Sequence, residues 1–115
     1  QNTQDVVDFY NFNSDPRDAN SMLFLGQVYY LGIGGMERDF SLAREYFERA
    51  AELGNSTAEG YLGQMDFYGE GISTPNYREA YNHFRKSARA KSPIGQNGMG
   101  LLYWKGIEVV QDTTE

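Results

Sequence analysis

The stretch LGQVYYLGIG at residues 25–34 returns twice along the chain, as LGQMDFYGEG at 62–71 and as MGLLYWKGIE at 99–108. The three copies therefore begin 37 residues apart. A second block keeps the same step: Ala43, Phe47 and Ala51 reappear as Ala80, Phe84 and Ala88. Self-similarity at a period of this size is typical of solenoids, whose stacked units bury a core that no single unit could form. The sequence predicts an all-α solenoid of αα-hairpins with about three units.

Each unit contains two helical patterns joined by a glycine-rich turn. In the first unit the apolar spacing predicts a helix over 19–31, with Asp18 as its N-cap. A second helix is predicted to begin at Asp39 or Ser41 and to run to about Leu53, where Gly-Asn ends it. This alternation of helix, turn and helix indicates a hairpin.

The rest of the chain follows the same plan. Helices are predicted over 58–68 and 77–90, and Pro93 marks the start of the next helix, where its missing N–H costs little. We expect one repeat segment with partial units at both ends. Its parts are a partial preceding repeat at 5–18, repeats at 19–55 and 56–92, and a partial repeat at 93–115.

Three glycines recur inside the predicted helices, at Gly26, Gly63 and Gly100. A glycine in a helix interior is about 1 kcal/mol less favourable than alanine, so its recurrence in one slot needs a structural reason. We predict a close approach of the paired helix, with the small surface of Ala50, Ala51 and Ala88 facing these glycines.

The composition excludes several classes of function. The 115-residue chain carries a net charge of −6 and has no cysteine. Nucleic-acid binding is not expected without a basic stripe, and the apolar runs are too short to cross a bilayer. The one histidine, His83, has no second histidine or cysteine with which to build a metal site or a triad. We therefore predict a non-enzymatic chain without a cofactor.

The repeated pattern resembles a known family. L-G-x-x-Y-x-x-G-x-G followed by A-x-x-Y-F-x-x-A-A-x-x-G-N, best matched by 25–34 and 43–55, is similar to the Sel-1-like repeat, an αα-hairpin relative of the tetratricopeptide repeat. The departures from this pattern are Asp66, Ser87, Lys91 and Glu108. The resemblance implies a scaffold that binds other proteins.

Within that family, the chain resembles the central repeats of the Sel-1/Hrd-3-type adaptors of endoplasmic-reticulum-associated degradation (ERAD). The similarity lies in the order of residues 6–12, 25–27, 50–56 and 62–65. It implies a segment in the endoplasmic reticulum (ER) lumen, in a parent protein anchored in the ER membrane. The implied partners are subunits of the HRD ubiquitin ligase, misfolded clients and a second copy of the chain. An alternative is a Sel-1-like adaptor in cytosolic signalling or in bacterial interaction with a host.

One helix position is aromatic in every unit, as Tyr30, Phe67 and Trp104. Two interpretations are open: the column packs between repeats, or it forms a stripe that binds a protein partner. By analogy with other αα-hairpin solenoids, its neighbours would line the same inner face. These neighbours are Gln27, Leu31, Gln64, Tyr68 and Lys105.

Two further expectations concern modification and assembly. Asn55-Ser56-Thr57 is a glycosylation sequon in a predicted turn, and the implied lumenal location makes Asn55 a candidate for an N-linked glycan. The partial units would leave apolar flanks without a neighbour, near residues 6–12 and 109–110. We therefore predict that the chain self-associates, as a homodimer.

Overall fold

The computed structural model describes residues 15–107, and all regular structure in this range is helical. The prediction of an all-α helical-hairpin solenoid is confirmed. The expected partial repeat before the first full unit lies outside the described residues, apart from its last few positions. Five helices of 13 residues each follow in order: α1 Ala19–Leu31, α2 Phe40–Glu52, α3 Ser56–Tyr68, α4 Tyr77–Arg89 and α5 Pro93–Lys105. A short 3-10 turn, Ile33–Gly35, follows α1.

Capping side chains fix where the helices begin. The predicted N-cap Asp18 accepts a hydrogen bond from the backbone N–H of Asn20, and Asp39, rather than Ser41, caps α2. Asn55 caps α3 by accepting from the N–H of Ala58 at 2.8 Å. Each acceptor satisfies one of the N–H groups that a helix start leaves without an intrahelical partner. Asn55 thus begins the third helix, whereas the sequence pattern assigned it to the end of the second.

The hairpin turns of the first two units are built alike. The N–H of Asp39 donates to the carbonyl of Tyr29 at 3.0 Å, and the N–H of Asn76 donates to that of Asp66 at 2.8 Å. The two donors are 37 positions apart, and so are the two acceptors, so the backbone hydrogen bonds repeat with the sequence. Gly69 ends α3 in the left-handed conformation with φ 74°, which favours glycine.

Two phenylalanines fill the space that the recurring glycines leave. A Cβ on Gly26 would lie 2.6 Å from the ring of Phe47, and one on Gly63 would lie 2.6 Å from the ring of Phe84. The predicted close approach exists, but aromatic rings occupy it, and the expectation that alanines face the glycines is wrong. Because glycine has no side chain, each ring packs directly against the glycine backbone, between the two helices of its hairpin, and is fully buried. A Cβ on Gly100 would have no neighbour within 4 Å among the residues that the structure describes.

The repeats also stack through aromatic rings. Tyr61 of α3 lies parallel to Phe47 of α2, with ring centroids 4.6 Å apart. In the next unit the equivalent slot is Gly98, which lies against Phe84. The core therefore continues from one hairpin to the next, as in a solenoid. No helix within residues 15–107 combines the length and the apolar character that spanning a bilayer requires.

Candidate protein-interaction surfaces

The predicted aromatic column divides into buried and exposed members. Tyr30 and Phe67 are each 7% exposed, whereas Trp104 is 80% exposed. The ring of Tyr30 contacts Phe40 and Tyr61, with centroids 5.5 and 5.6 Å apart. Tyr30 thus packs between repeats, and Phe67 packs within its own hairpin, with its ring centroid 5.5 Å from that of Tyr77. These contacts favour the packing interpretation, and the two buried rings do not form an exposed stripe with Trp104.

Polar neighbours of this column make internal hydrogen bonds. The Gln64 side-chain amide donates to the hydroxyl of Tyr30 at 3.1 Å, and the Tyr30 hydroxyl donates to Glu70 Oε1 at 2.6 Å. Burial and the Glu70 carboxylate together raise the pKa of Tyr30, so its hydroxyl stays protonated as a donor. Gln27 likewise donates to the hydroxyl of Tyr61 at 3.3 Å. Both glutamines are half-buried and join one repeat to the next.

The remaining predicted residues lie on the surface. Leu31 and Tyr68 occupy equivalent slots in α1 and α3 and are 52% and 54% exposed. Lys105 occupies the same slot in α5 and is exposed beside Trp104. We call Leu31, Tyr68, Trp104 and Lys105 the exposed row. Where exposed apolar side chains form a contiguous patch, they mark a surface that binds another protein.

The second hairpin contains a polar pair that has no counterpart in the first. In the first hairpin Tyr29 and Tyr46 are stacked, with centroids 5.9 Å apart and planes within 3°. The equivalent residues of the second hairpin are Asp66 and His83, whose Oδ2 and Nε2 atoms lie 3.7 Å apart. An acid and an imidazole thus replace an aromatic stack on the same backbone frame.

Asp66 is a buried acid with one unsatisfied oxygen. Its Oδ1 accepts from Arg44 Nη2 at 3.0 Å, and the same nitrogen lies 3.4 Å from the carbonyl oxygen of Glu70. Its Oδ2 is buried and has no hydrogen-bond partner, and its side chain is only 5% exposed. Burial raises the pKa of Asp66, although Arg44 and His83 act in the opposite direction.

His83 lies among carboxylates. Its Nδ1 is 2.7 Å from Glu59 Oε1, and its Nε2 is 3.9 Å from Glu79 Oε1. The sequence-based expectation of a partly packed helix residue describes its half-buried position, but not these contacts. Among residues 15–107, no group of three or more histidine, cysteine or acidic side chains could hold a metal ion.

Two adjacent cavities open around this polar pair, each with a volume of about 600 Å³. The first, which we call the Asp66 cavity, lies between α2, the end of α3, the turn before α4, and α4 itself. Its polar side chains include Arg44, Glu48, Asp66, Asn76, Glu79 and His83. The second, the Glu59 cavity, shares Glu48 and His83 with it and adds Glu52, Glu59 and Lys86.

The family model for the Sel1 repeat matches residues 19–55, 56–92 and 93–115. The chain belongs to the Sel1-repeat family. Sel1 repeats mediate contacts between proteins, and this Sel1-repeat chain is accordingly a protein-interaction scaffold.

A curated relative of these Sel1 repeats comes from a plant. HRD3B of Arabidopsis thaliana, an ERAD-associated E3 ubiquitin-protein ligase component, is 30% identical over 101 residues. The match covers 88% of this chain but 16% of the plant protein.

Solved structures with the same fold come from bacteria. The c5321 protein of uropathogenic Escherichia coli, a protective antigen with an SLR fold, superposes with a TM-score of 0.77 at 30% identity, covering 92% of this chain and 22% of that one. A Sel1 repeat protein of Oxalobacter formigenes gives 0.71 at 29% identity, covering 96% and 81%. Cysteine-rich protein B of Helicobacter pylori gives 0.70 at 24% identity, covering 89% and 73%, which shows the fold alone.

The sequon of the Sel1-repeat chain lies where two repeats meet. Asn55 is half-buried, its Oδ1 caps α3, and its Nδ2 lies 3.5 Å from Asn20 Oδ1 of the preceding repeat. The structure thus gives this side chain a capping role that the sequon pattern did not indicate.

Proposed function

We propose that this chain is a non-enzymatic segment of an adaptor for ER-associated degradation, located in the ER lumen within a parent protein anchored in the ER membrane. The observation that supports this role is the 30% identity to HRD3B across 88% of the chain. In this role the Sel1 repeats support the assembly of a ubiquitin ligase and present misfolded clients to it.

The exposed row is the proposed contact surface for the ligase or its clients. Leu31 and Tyr68 recur at the same slot of successive repeats, and each is about half exposed. Aromatic side chains held on rigid helices lose little conformational entropy on binding, so they make effective anchors. Tyr30 and Phe67 are buried and are not part of the proposed contact surface.

Affinity capture of the full-length parent from the membranes of cells that produce it tests the proposal. We expect HRD-type ligase subunits to co-purify with the wild-type protein, and the yield to fall for the Leu31→Ser, Tyr68→Ser double variant. The matched control is Glu37→Ser, Glu45→Ser, which changes two exposed side chains elsewhere on the same scaffold. A wild-type capture that lacks ligase subunits contradicts the adaptor role, and equal capture by both double variants contradicts the exposed row.

A second candidate function is a Sel1-repeat scaffold of bacterial type, acting in host interaction or in cytosolic signalling. The two bacterial structures at 30% and 29% identity favour it, because they match this chain as well as the plant protein does. Fractionation of the producing cells separates the two candidates. Recovery of the parent with ER membranes supports the adaptor, and recovery without them supports the second candidate.

Self-association belongs to the proposed adaptor role. We expect the mass of the protein measured by light scattering to rise with concentration toward that of a dimer. A monomer at every concentration up to the solubility limit contradicts this expectation.

Glycosylation of Asn55 is also proposed. The glycan bond forms at Nδ2, so Oδ1 remains available to cap α3. Protein from a eukaryotic secretory host should lose mass on enzymatic removal of N-glycans. An unchanged mass contradicts the proposal.

A further inference from the structure

We propose that the Asp66 cavity binds a lysine or arginine side chain carried by an extended segment of a partner protein. The inference goes beyond the proposed function, because it depends neither on the cellular compartment nor on a ubiquitin ligase. It also concerns a face other than the exposed row.

The unsatisfied oxygen of Asp66 points to a donor from outside the chain. Asp66 lines a cavity of about 600 Å³, and its Oδ2 atom is buried, lies 3.7 Å from His83 Nε2 and has no hydrogen-bond partner. A buried acceptor left unpaired is unfavourable, and an ionised one more so. Burial outweighs the charge of Arg44 in setting the pKa of Asp66, so the neighbouring guanidinium does not fully compensate the carboxylate. A cationic N–H donor in the cavity would satisfy the oxygen and its charge together.

The charges around the cavity favour a cation. Glu48 and Glu79 line the Asp66 cavity, and Glu52 and Glu59 line the adjoining one. Among the positive groups, Arg44 already faces Asp66 Oδ1, and His83 Nδ1 already faces Glu59. Lys86 lines the Glu59 cavity and is absent from the lining of the Asp66 cavity. Acidic side chains therefore outnumber basic ones, which attracts a positively charged group.

A second unsatisfied atom indicates that the cation belongs to a peptide. Arg44 Nε is a buried donor with no hydrogen-bond partner, and Arg44 lines the same cavity as Asp66. Two residues that line the cavity thus each carry a buried polar atom without a hydrogen bond, one an acceptor and the other a donor. A lysine or arginine residue in an extended chain brings both complements, since its side chain donates and its neighbouring backbone carbonyl accepts. A free metal ion would satisfy the acceptor alone, and the residues described do not form a metal-ligand group.

The repeat pattern shows which side chains distinguish the second hairpin from the first. In the first hairpin the stacked rings of Tyr29 and Tyr46 occupy the equivalent slots. Asp66 and His83 are smaller and polar, and the turns of the two hairpins share the same backbone hydrogen bond. The exchange of side chains therefore leaves polar space without altering the frame that surrounds it.

The test is a titration of the isotopically labelled 115-residue protein, followed by amide NMR shifts. The probes are the capped peptide Gly-Ser-Gly-Arg-Gly-Ser-Gly, its lysine analogue, and a matched peptide in which neutral citrulline replaces arginine. We expect the cationic peptides to shift the amides of Asp66, Glu79 and His83 with Kd values of about 1 mM, as for a single anchored side chain. The citrulline peptide should leave these amides unshifted.

Matched variants locate the site. The Glu48→Gln, Glu79→Gln variant removes two acids of the cavity, and we expect its affinity for the cationic peptides to fall roughly two- to ten-fold. The control Glu37→Gln, Glu45→Gln removes the same charge from exposed positions outside both cavities and should bind as the wild type does. The proposal is overturned by equal binding of the citrulline and arginine peptides, by an absence of shifts at the cavity, or by equal weakening in the two variants.

Discussion

Replacement of Gly63 by alanine is expected to destabilise the protein, although alanine is the better helix former. A Cβ at this position would lie 2.6, 2.8 and 3.0 Å from three ring carbons of Phe84. Phe84 is fully buried between the helices of its hairpin and also lies against Gly98, so its ring has little room to move away. The added methyl group must therefore displace the ring or the helix.

The same substitution at Gly100 provides a matched control. Gly100 occupies the equivalent slot of α5, and a Cβ there would meet no atom of residues 15–107 within 4 Å. Both substitutions gain the helix propensity of alanine, about 1 kcal/mol. The difference between the two variants therefore isolates the cost of overpacking around Phe84, which we place at about 1–3 kcal/mol.

Urea denaturation of the two variants and the wild type measures this difference. We expect Gly100→Ala to be as stable as the wild type or more so, and the free energy of unfolding of Gly63→Ala to be about 1–3 kcal/mol lower than that of Gly100→Ala. The reasoning is refuted if Gly63→Ala is as stable as Gly100→Ala, because the ring would then not occupy the space the glycine leaves.

Three further sets of variants test burial, capping and charge. Phe67 is buried and Trp104 is exposed, so Phe67→Ala should lower the free energy of unfolding by about 3–5 kcal/mol and Trp104→Ala should change it by less than about 0.5 kcal/mol. Equal losses of stability in thermal melts of the two variants would contradict this division of the aromatic column. Asn55→Ala should lower the free energy of unfolding by about 1 kcal/mol, whereas Asn55→Asp should not, because aspartate also supplies an oxygen that caps α3. Equal stability of these two variants would contradict the capping role. Asp66 has a pKa raised above 3.8 in the folded state, so its contribution to stability is complete below 3.8 and is lost as the pH rises through the folded value. The unfolding free energy of the wild type should therefore fall relative to Asp66→Asn as the pH rises from below 3.8 toward neutrality, and a rise would reverse the assigned direction.

The fold could be predicted because its determinants are local and recur. Asp18 as an N-cap, Pro93 at a helix start and glycines at fixed slots act within a turn or two of the chain, and the period then repeats each of them. The partner of Gly26 could not be predicted in the same way. Both Phe47 and Ala50 lie on the buried face of α2, and the depth to which a ring enters depends on the angle between two helices.

The candidate site was predictable in its parts but not as a unit. The sequence shows that Asp66 departs from an aromatic slot and that His83 occupies the slot of Tyr46. Asp66 and His83 are 37 positions after Tyr29 and Tyr46, which stack on each other in the first hairpin. Asp66 and His83 therefore occupy facing positions of the second hairpin. The contact with Arg44 of the preceding repeat depends on how the hairpins stack, which the period alone does not specify.

If the frame of a hairpin is independent of this pair of side chains, the second hairpin should accept the pair of the first. The Asp66→Tyr, His83→Tyr variant restores both aromatic residues on a backbone that carries the same turn hydrogen bond. Each single variant places one tyrosine opposite an unmatched polar group. In a double-mutant cycle, we therefore expect the double variant to lose about 0.5–3 kcal/mol less free energy of unfolding than the two single variants lose together. Additive losses would show that Asp66 and His83 do not act as a pair. A favourable coupling would mean that the repeat tolerates exchange at these slots, which leaves the second hairpin free to carry a polar cavity without loss of its fold.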